Sequence, residues 1–138
     1  MIAPSDQIPG KRTIFLRVLR QDSPESLPRW ERFEVEVEPG MNLISCLQRV
    51  AANPITVNGE SSTPIVFECG CLEEVCGSCA MVINGQVRPS CTALIDEYAP
   101  RDGDEIVLEP MGKFPVVRDL MVDRERLFHN LKRVKAWV

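Results

Sequence analysis

Residues 71–91 read CLEEVCGSCAMVINGQVRPSC, and Cys71, Cys76, Cys79 and Cys91 punctuate them in the spacing C-x4-C-x2-C-x11-C. Asn84-Gly85 stands between two short apolar runs. Both residues tolerate positive φ, so the dipeptide predicts a β-hairpin. That hairpin folds Cys91 back toward Cys79. Three thiolates on one tight loop, joined by a fourth from a returning hairpin, suffice to surround a metal centre.

A [2Fe–2S] cluster needs two protein thiolates on each iron, and the plant-type pattern for it begins with the same C-x4-C-x2-C run. Cys71, Cys76, Cys79 and Cys91 are therefore the expected cofactor and metal ligands. Gly70 and Gly77 suit a loop that must turn sharply and bring backbone N–H groups close to sulfur. Such N–H groups stabilise an anionic centre and help set its potential. Arg88, three residues before Cys91, is either a source of positive charge for that centre or a solvated hairpin residue. Glu73 and Glu74 read as exposed acids of the loop.

Zinc is the chemical rival, since it also takes four thiolates, usually as two C-x2-C-like pairs. Only Cys76/Cys79 forms such a pair here. A thioredoxin-like use of Cys76/Cys79 lacks its βαβ context. Cys69 also precedes the pair, but the x4 gap selects Cys71 as first ligand and assigns Cys69 to the incoming segment or the rim. His129 is the single histidine, which excludes a Rieske centre with its two, and it reads as an ordinary polar residue. Cys46 reads as core filler, because a free cysteine behaves as a small buried hydrophobe. No carboxylate–histidine pairing or phosphate-binding glycine loop appears, so no catalytic residue is assigned.

Outward from the loop, residues 13–20 read as a strand, and residues 32–38 alternate, with Phe33, Val35 and Val37 on one face and Glu34, Glu36 and Glu38 on the other. Residues 22–30 read as a proline-bearing loop between them. Asn42 is a good N-cap for a helix over residues 43–51, stopped at Asn53-Pro54. PIVFECG (64–70) reads as a short buried strand entering the cysteine loop, CTALI (91–95) as the strand leaving it, and EIVLE (105–109) as a further strand. From Val117 to Ala136 the steps Leu120, Leu127, Leu131 and Val134 predict one helix. The sum is an α+β domain of five or six short strands, one packed helix and one terminal helix.

The chain has 138 residues and a formal net charge of −4. That charge, with no basic arm or stripe, gives no basis for nucleic-acid binding. The first residues hold no apolar run of signal-peptide length, and no segment approaches the roughly 18–20 apolar residues of a spanning helix. Six cysteines without a secretion signal point to metal or redox chemistry before a disulfide framework.

CLEEVCGSCAMVINGQVRPSCTALID resembles the [2Fe–2S] segment of the iron–sulfur subunit of succinate dehydrogenase and fumarate reductase. The short final gap with its hairpin, and the later PMGKFPVVRDLMVDRERLFHNLKRVKAW, are similar to the same family, so the resemblance runs from about Thr13 to Trp137. It implies a ferredoxin-like β-grasp domain over residues 13–112, after a flexible leader (1–12) and before a connecting helix (113–138). It implies that Cys71, Cys76, Cys79 and Cys91 hold the cluster. It also implies a subunit of an oxidoreductase that passes single electrons from the FAD of a flavoprotein subunit toward quinone. The expected place is the cytoplasmic face of a bacterial inner membrane, attached through membrane anchor subunits. No substrate catalysis is expected from this chain alone. Family members continue into a helical domain with [4Fe–4S] and [3Fe–4S] clusters, and no cysteine follows Cys91 here, so a fragment or a truncated or split gene is expected. Two other functions fit the cysteines: a stand-alone [2Fe–2S] ferredoxin serving another reductase, and a zinc-stapled interaction module.

Overall fold

The structure, a computed structural model, describes residues 10–136. Residues 1–9 of the expected leader and the last two residues of the expected connecting helix lie outside the described residues.

Strand β1 (Arg12–Arg20) pairs antiparallel with β2 (Arg29–Val37), with Ile14 opposite Val35 and Leu16 opposite Phe33. Each strand puts one face in the core, as period-two alternation requires. β2 starts at Arg29, inside the segment read as loop. Trp30 joins it because its ring lies under the Arg17 guanidinium, 4.5 Å from the centroid.

Helix α1 (Leu43–Ala52) follows a turn at Gly40, and the Asn42 side chain accepts from the Ser45 amide at 2.9 Å. That bond satisfies one of the amides left free at a helix start. Leu43, Leu47 and Val50 face the core with Cys46, which has no exposed surface. Burial pushes the Cys46 thiol up to about 12, the behaviour of a core filler.

β3 (Ala80–Ile83) and β4 (Gln86–Pro89) form the hairpin, and Asn84 and Gly85 both adopt positive φ, 49° and 85°. One-turn α2 (Ile95–Tyr98) and β5 (Glu105–Glu109) follow. The five strands make one sheet in the order β2-β1-β5-β3-β4, with β1 and β5 parallel and the other neighbours antiparallel. Ile14, Leu16, Ile83, Ile106 and Leu108 meet the apolar face of α1 in a single core. This is the expected α+β arrangement of a sheet grasping a helix.

Three expected elements differ. PIVFECG is not a strand: only Ile65 is buried, and Val66 is held by other means. Its amide donates to the Asp119 carboxylate at 2.9 Å and its carbonyl accepts from the Leu120 amide at 3.1 Å. CTALI is not a strand either. It makes a single bridge, Leu94 to Asn42, and then coils into α2 at Ile95.

The terminal helix is much shorter than expected. Residues 116–122 form a small hairpin instead, β6 (Val116–Arg118) with β7 (Met121–Val122), and α3 covers only Glu125–Arg133. Asp119 turns this hairpin in the left-handed region (φ 47°) and is fully buried. Its carboxylate accepts from Arg20 Nε at 2.9 Å and Nη2 at 3.1 Å, and from the Gln21 amide at 3.1 Å. A buried charge needs such partners, and they fix the turn where a helix would carry Asp119 away. Leu120 enters the main core through the hairpin, whereas Leu127 and Val134 are exposed. The apolar period therefore mixed one core residue with a solvent-facing stripe. Among the described residues, no helix is long and apolar enough to cross a membrane.

Candidate metal centre

The loop between Gly70 and Cys79 wraps its backbone around sulfur. Cys71 Sγ accepts from the amides of Val75 at 3.2 Å and of Glu73 and Cys76 at 3.3 Å. Cys76 Sγ accepts from the amides of Cys71 and Ser78, both at 3.4 Å, and lies 3.1 Å from Ser78 Oγ. Leu72, Glu74 and Gly77 have φ of 60°, 60° and 72°. Left-handed residues interleaved in a tight loop turn successive N–H groups inward and create an anion-binding concavity. Two of the three carry side chains, which costs roughly 1–3 kcal/mol each and persists only because the sulfur bonds oppose it. Gly70 is needed for space: a Cβ there would come within 3.0 Å of Cys76 Sγ and 3.2 Å of Ser78 Oγ.

The other two thiols belong to the hairpin. Cys79 precedes β3 and Cys91 follows β4, and both are buried against Ile44, with Phe67 alongside. Ser90, without exposed surface, fastens the strand ends, its amide and Oγ donating to the Cys79 carbonyl at 3.2 and 2.8 Å. Cys79 and Cys91 thus share one buried cluster at the base of the hairpin.

The electrostatics cut across this division. Cys76 is pulled down to about 6, first by the Ser78 hydroxyl and then by the Cys71 and Ser78 amides. For Cys79 burial is the largest single influence and acts upward, but hydrogen bonds from Cys91 and Ser90 outweigh it and lower the thiol. Cys91 is raised, first by burial and then by its bond with Cys79.

The four cysteines thus form two pairs, Cys71 with Cys76 and Cys79 with Cys91. Tetrahedral zinc requires four donors about 2.0–2.3 Å from one centre. A two-iron cluster takes two thiolates at each end instead, and the donor set fits it: sulfur in pairs, with N–H groups aimed at the outer two.

The description "2Fe-2S iron-sulfur cluster binding domain" matches residues 15–129. The chain belongs to this family. As a 2Fe-2S domain it binds a [2Fe–2S] cluster. The domain is 51% identical over 128 residues to the succinate dehydrogenase iron-sulfur subunit of Bacillus subtilis, covering 93% of this chain and 49% of that protein. It is 30% identical over 131 residues to the fumarate reductase iron-sulfur subunit of Wolinella succinogenes, covering 92% of this chain and 50% of that one. A solved chain of the Mycobacterium smegmatis Sdh1 complex in the apo form superposes with a TM-score of 0.75 at 25% identity, over 89% of this chain and 47% of that chain. The 2Fe-2S domain therefore spans about half the length of the relatives it matches.

Other residues of the 2Fe-2S domain fall where the sequence pointed, or away from it. Cys69 is exposed on the incoming segment. Arg88 is exposed, and its guanidinium bonds the Val87 carbonyl and Gln86 Oε1 of its own hairpin, so it is the solvated hairpin residue. His129 is exposed on α3, 3.2 Å from Glu125. Glu73 and Glu74 are exposed. Sequence reasoning missed Ser78, Ser90, Asp119 and Arg124. Ser78 had a local signal, a hydroxyl between two cysteines. Arg124 had none, since it reaches back to the Gly77 and Ser78 carbonyls from more than forty positions away.

Proposed function

We propose that Cys71, Cys76, Cys79 and Cys91 are the four ligands of the [2Fe–2S] cluster, with Cys71 and Cys76 on one iron and Cys79 and Cys91 on the other. The observation that carries this reading is the pairing of the thiols, one pair wrapped in N–H donors and one sealed by the hairpin. When bound there, the cluster supplies one-electron chemistry. The amides of Glu73, Val75 and Cys76 donate to Cys71 Sγ, and those of Cys71 and Ser78 to Cys76 Sγ. Ile44 and Phe67 keep water from the inner pair.

The larger role is electron transfer within a succinate dehydrogenase or fumarate reductase. The names of the relatives support it, and so does the similarity across most of this chain. In this reading a flavoprotein subunit that supplies single electrons docks over the loop of the outer pair. Leu72 and Val75 support such docking, since they stand 54% and 80% exposed on the loop enclosing Cys71 and Cys76. Residues 13–112 serve as the cluster domain. Residues 113–138 lead toward a second cluster domain, and membrane anchor subunits hold the assembly at the cytoplasmic face of a bacterial inner membrane.

The test has two stages. The chain, reconstituted anaerobically with iron and sulfide, should bind about two irons and two sulfides and give a one-electron EPR signal on reduction. A chain that binds zinc alone, or gives no such signal, overturns the ligand assignment. Mixed with a succinate-reduced flavoprotein subunit of this enzyme class, the loaded chain should develop the same signal. A loaded chain that takes electrons only from unrelated ferredoxin reductases would overturn the larger role.

A further inference from the structure

Arg124 immediately precedes α3, yet its guanidinium closes on the cysteine loop. Nη1 donates to the Gly77 carbonyl and Nη2 to the Ser78 carbonyl, both at 2.7 Å. The side chain is mostly covered, with the Glu68 carboxylate 3.9 Å from Nε. The Gly77 carbonyl belongs to the peptide unit whose N–H, at Ser78, donates to Cys76 Sγ at 3.4 Å. Guanidinium, peptide and sulfur thus form one continuous chain of hydrogen bonds. A cation bonded to a carbonyl polarises its peptide, and linked hydrogen bonds strengthen one another.

We propose that Arg124 is a positioning residue that raises the reduction potential of the [2Fe–2S] centre, by holding the Gly77–Ser78 peptide against Cys76 Sγ and polarising its N–H toward that sulfur. The proposal rests on Cys76 being a ligand. Hydrogen bonds to sulfur and nearby positive charge both favour the more negative, reduced state. Arg124 provides the two together through a planar fork that lysine cannot reproduce. Other arginines nearby do not do this: Arg88 bonds within its hairpin, and Arg126 bonds the Lys113 carbonyl. The hairpin of β6 and β7 with α3, remote in sequence from the cysteines, thereby gains a hold on how readily they accept charge.

The test is a mediated redox titration, with dithionite as reductant, of the full reconstituted chain and of its Arg124→Gln, Arg124→Lys and Arg126→Gln variants. Arg124→Gln should lower the reduced-to-oxidised ratio at a fixed applied potential roughly tenfold, which is about 59 mV for a one-electron couple. Arg124→Lys should fall between, and Arg126→Gln should match the unaltered chain. In deuterated water, the pulsed-EPR coupling of the exchangeable deuteron nearest the outer iron should weaken in Arg124→Gln, a signature that a merely structural arginine would not move. A loaded Arg124→Gln chain with unchanged potential and coupling overturns the proposal, as does an equal shift in Arg126→Gln. Should Arg124→Gln fail to load, Arg124→Lys decides: a lowered potential supports the proposal and an unchanged one overturns it. A missing signal in the unaltered chain overturns the ligand assignment and this inference with it. A normal signal with an indifferent Arg124 overturns the inference alone.

Discussion

Cys71 and Cys76 stand in an exposed loop whose own amides reach their sulfurs, whereas Cys79 and Cys91 lie buried at the base of a hairpin against Ile44 and Phe67. The outer pair depends on backbone conformation, with Leu72, Glu74 and Gly77 all at positive φ. The inner pair depends on the sheet, since β3 pairs with β5 in the main core and Ser90 locks the hairpin ends. A site built this way has one half open to solvent and one half that the fold keeps dry. The two halves should fail differently when disturbed.

The largest effect is expected at the cysteines. Cys79→Ser should lose the cluster outright, because it places a hydroxyl in a buried site, a burial costing roughly 1–3 kcal/mol on its own. Cys71→Ser should keep a measurable fraction, because the serine oxygen inherits three N–H donors at the surface. Iron and acid-labile sulfide per chain, with the EPR signal, measure both. Equal loss at the two positions would erase the distinction between the halves.

Next in size is Asp119→Ala. It removes one partner of the buried pair with Arg20, which also spans Thr63 and the Pro64 carbonyl at 3.0 and 3.2 Å. The buried guanidinium then keeps only the Glu31 carboxylate, 3.5 Å from Nη1, and the loss should cost about 3 kcal/mol, read as a lowered urea midpoint. The damage should be lopsided. Asp119 holds the Val66 amide on the segment that enters the outer loop, so hydrogen exchange should quicken across residues 64–76 before the β3–β4 hairpin loosens. Uniform loosening would mean that the two halves are held together.

The inner half was legible because its signals are local. Asn84-Gly85 announces a hairpin whatever surrounds it, and the alternation over residues 32–38 announces a half-buried strand. The outer half was legible only as a ligand spacing. That Leu72 and Glu74 would take left-handed conformations follows from the sulfurs they serve, not from their own preferences. The frame around the loop was misread for the same reason. Residues 64–70 look like a strand because they are apolar, but the hydrogen bonds of Val66 go to Asp119 and Leu120 and the Pro64 carbonyl accepts from Arg20. Residues 117–124 look helical because Leu120 falls in step with Leu127, but a buried ion pair to Arg20, 99 positions away, turns the chain there. Long-range charge pairing leaves no periodic trace. Arg124 escaped for the same reason.

The smallest effect tests the strut that seats the inner half. α2 follows Cys91 by a few residues, and Asp96 on it accepts from the Gly40 amide at 2.8 Å and from Arg12 Nη2 at 2.7 Å. These partners, the Gly40 amide first and Arg12 second, hold the Asp96 carboxyl below its usual range. In the unfolded chain it titrates near the ordinary value of about 3.9. As pH falls below that value the unfolded chain takes up a proton that the folded one still refuses, so stability drops. The contribution is complete above about pH 5 and is lost once pH passes below the folded value. The side chain is 43% exposed, and solvent screening keeps the contribution below about 1 kcal/mol. Asp96→Asn should therefore lower the urea midpoint slightly at pH 7, and the two proteins should converge as pH falls through the folded value. A gap that persists unchanged in acid would show that α2 is seated by Ile95 and Ala99 in the core, leaving the inner half independent of surface charge.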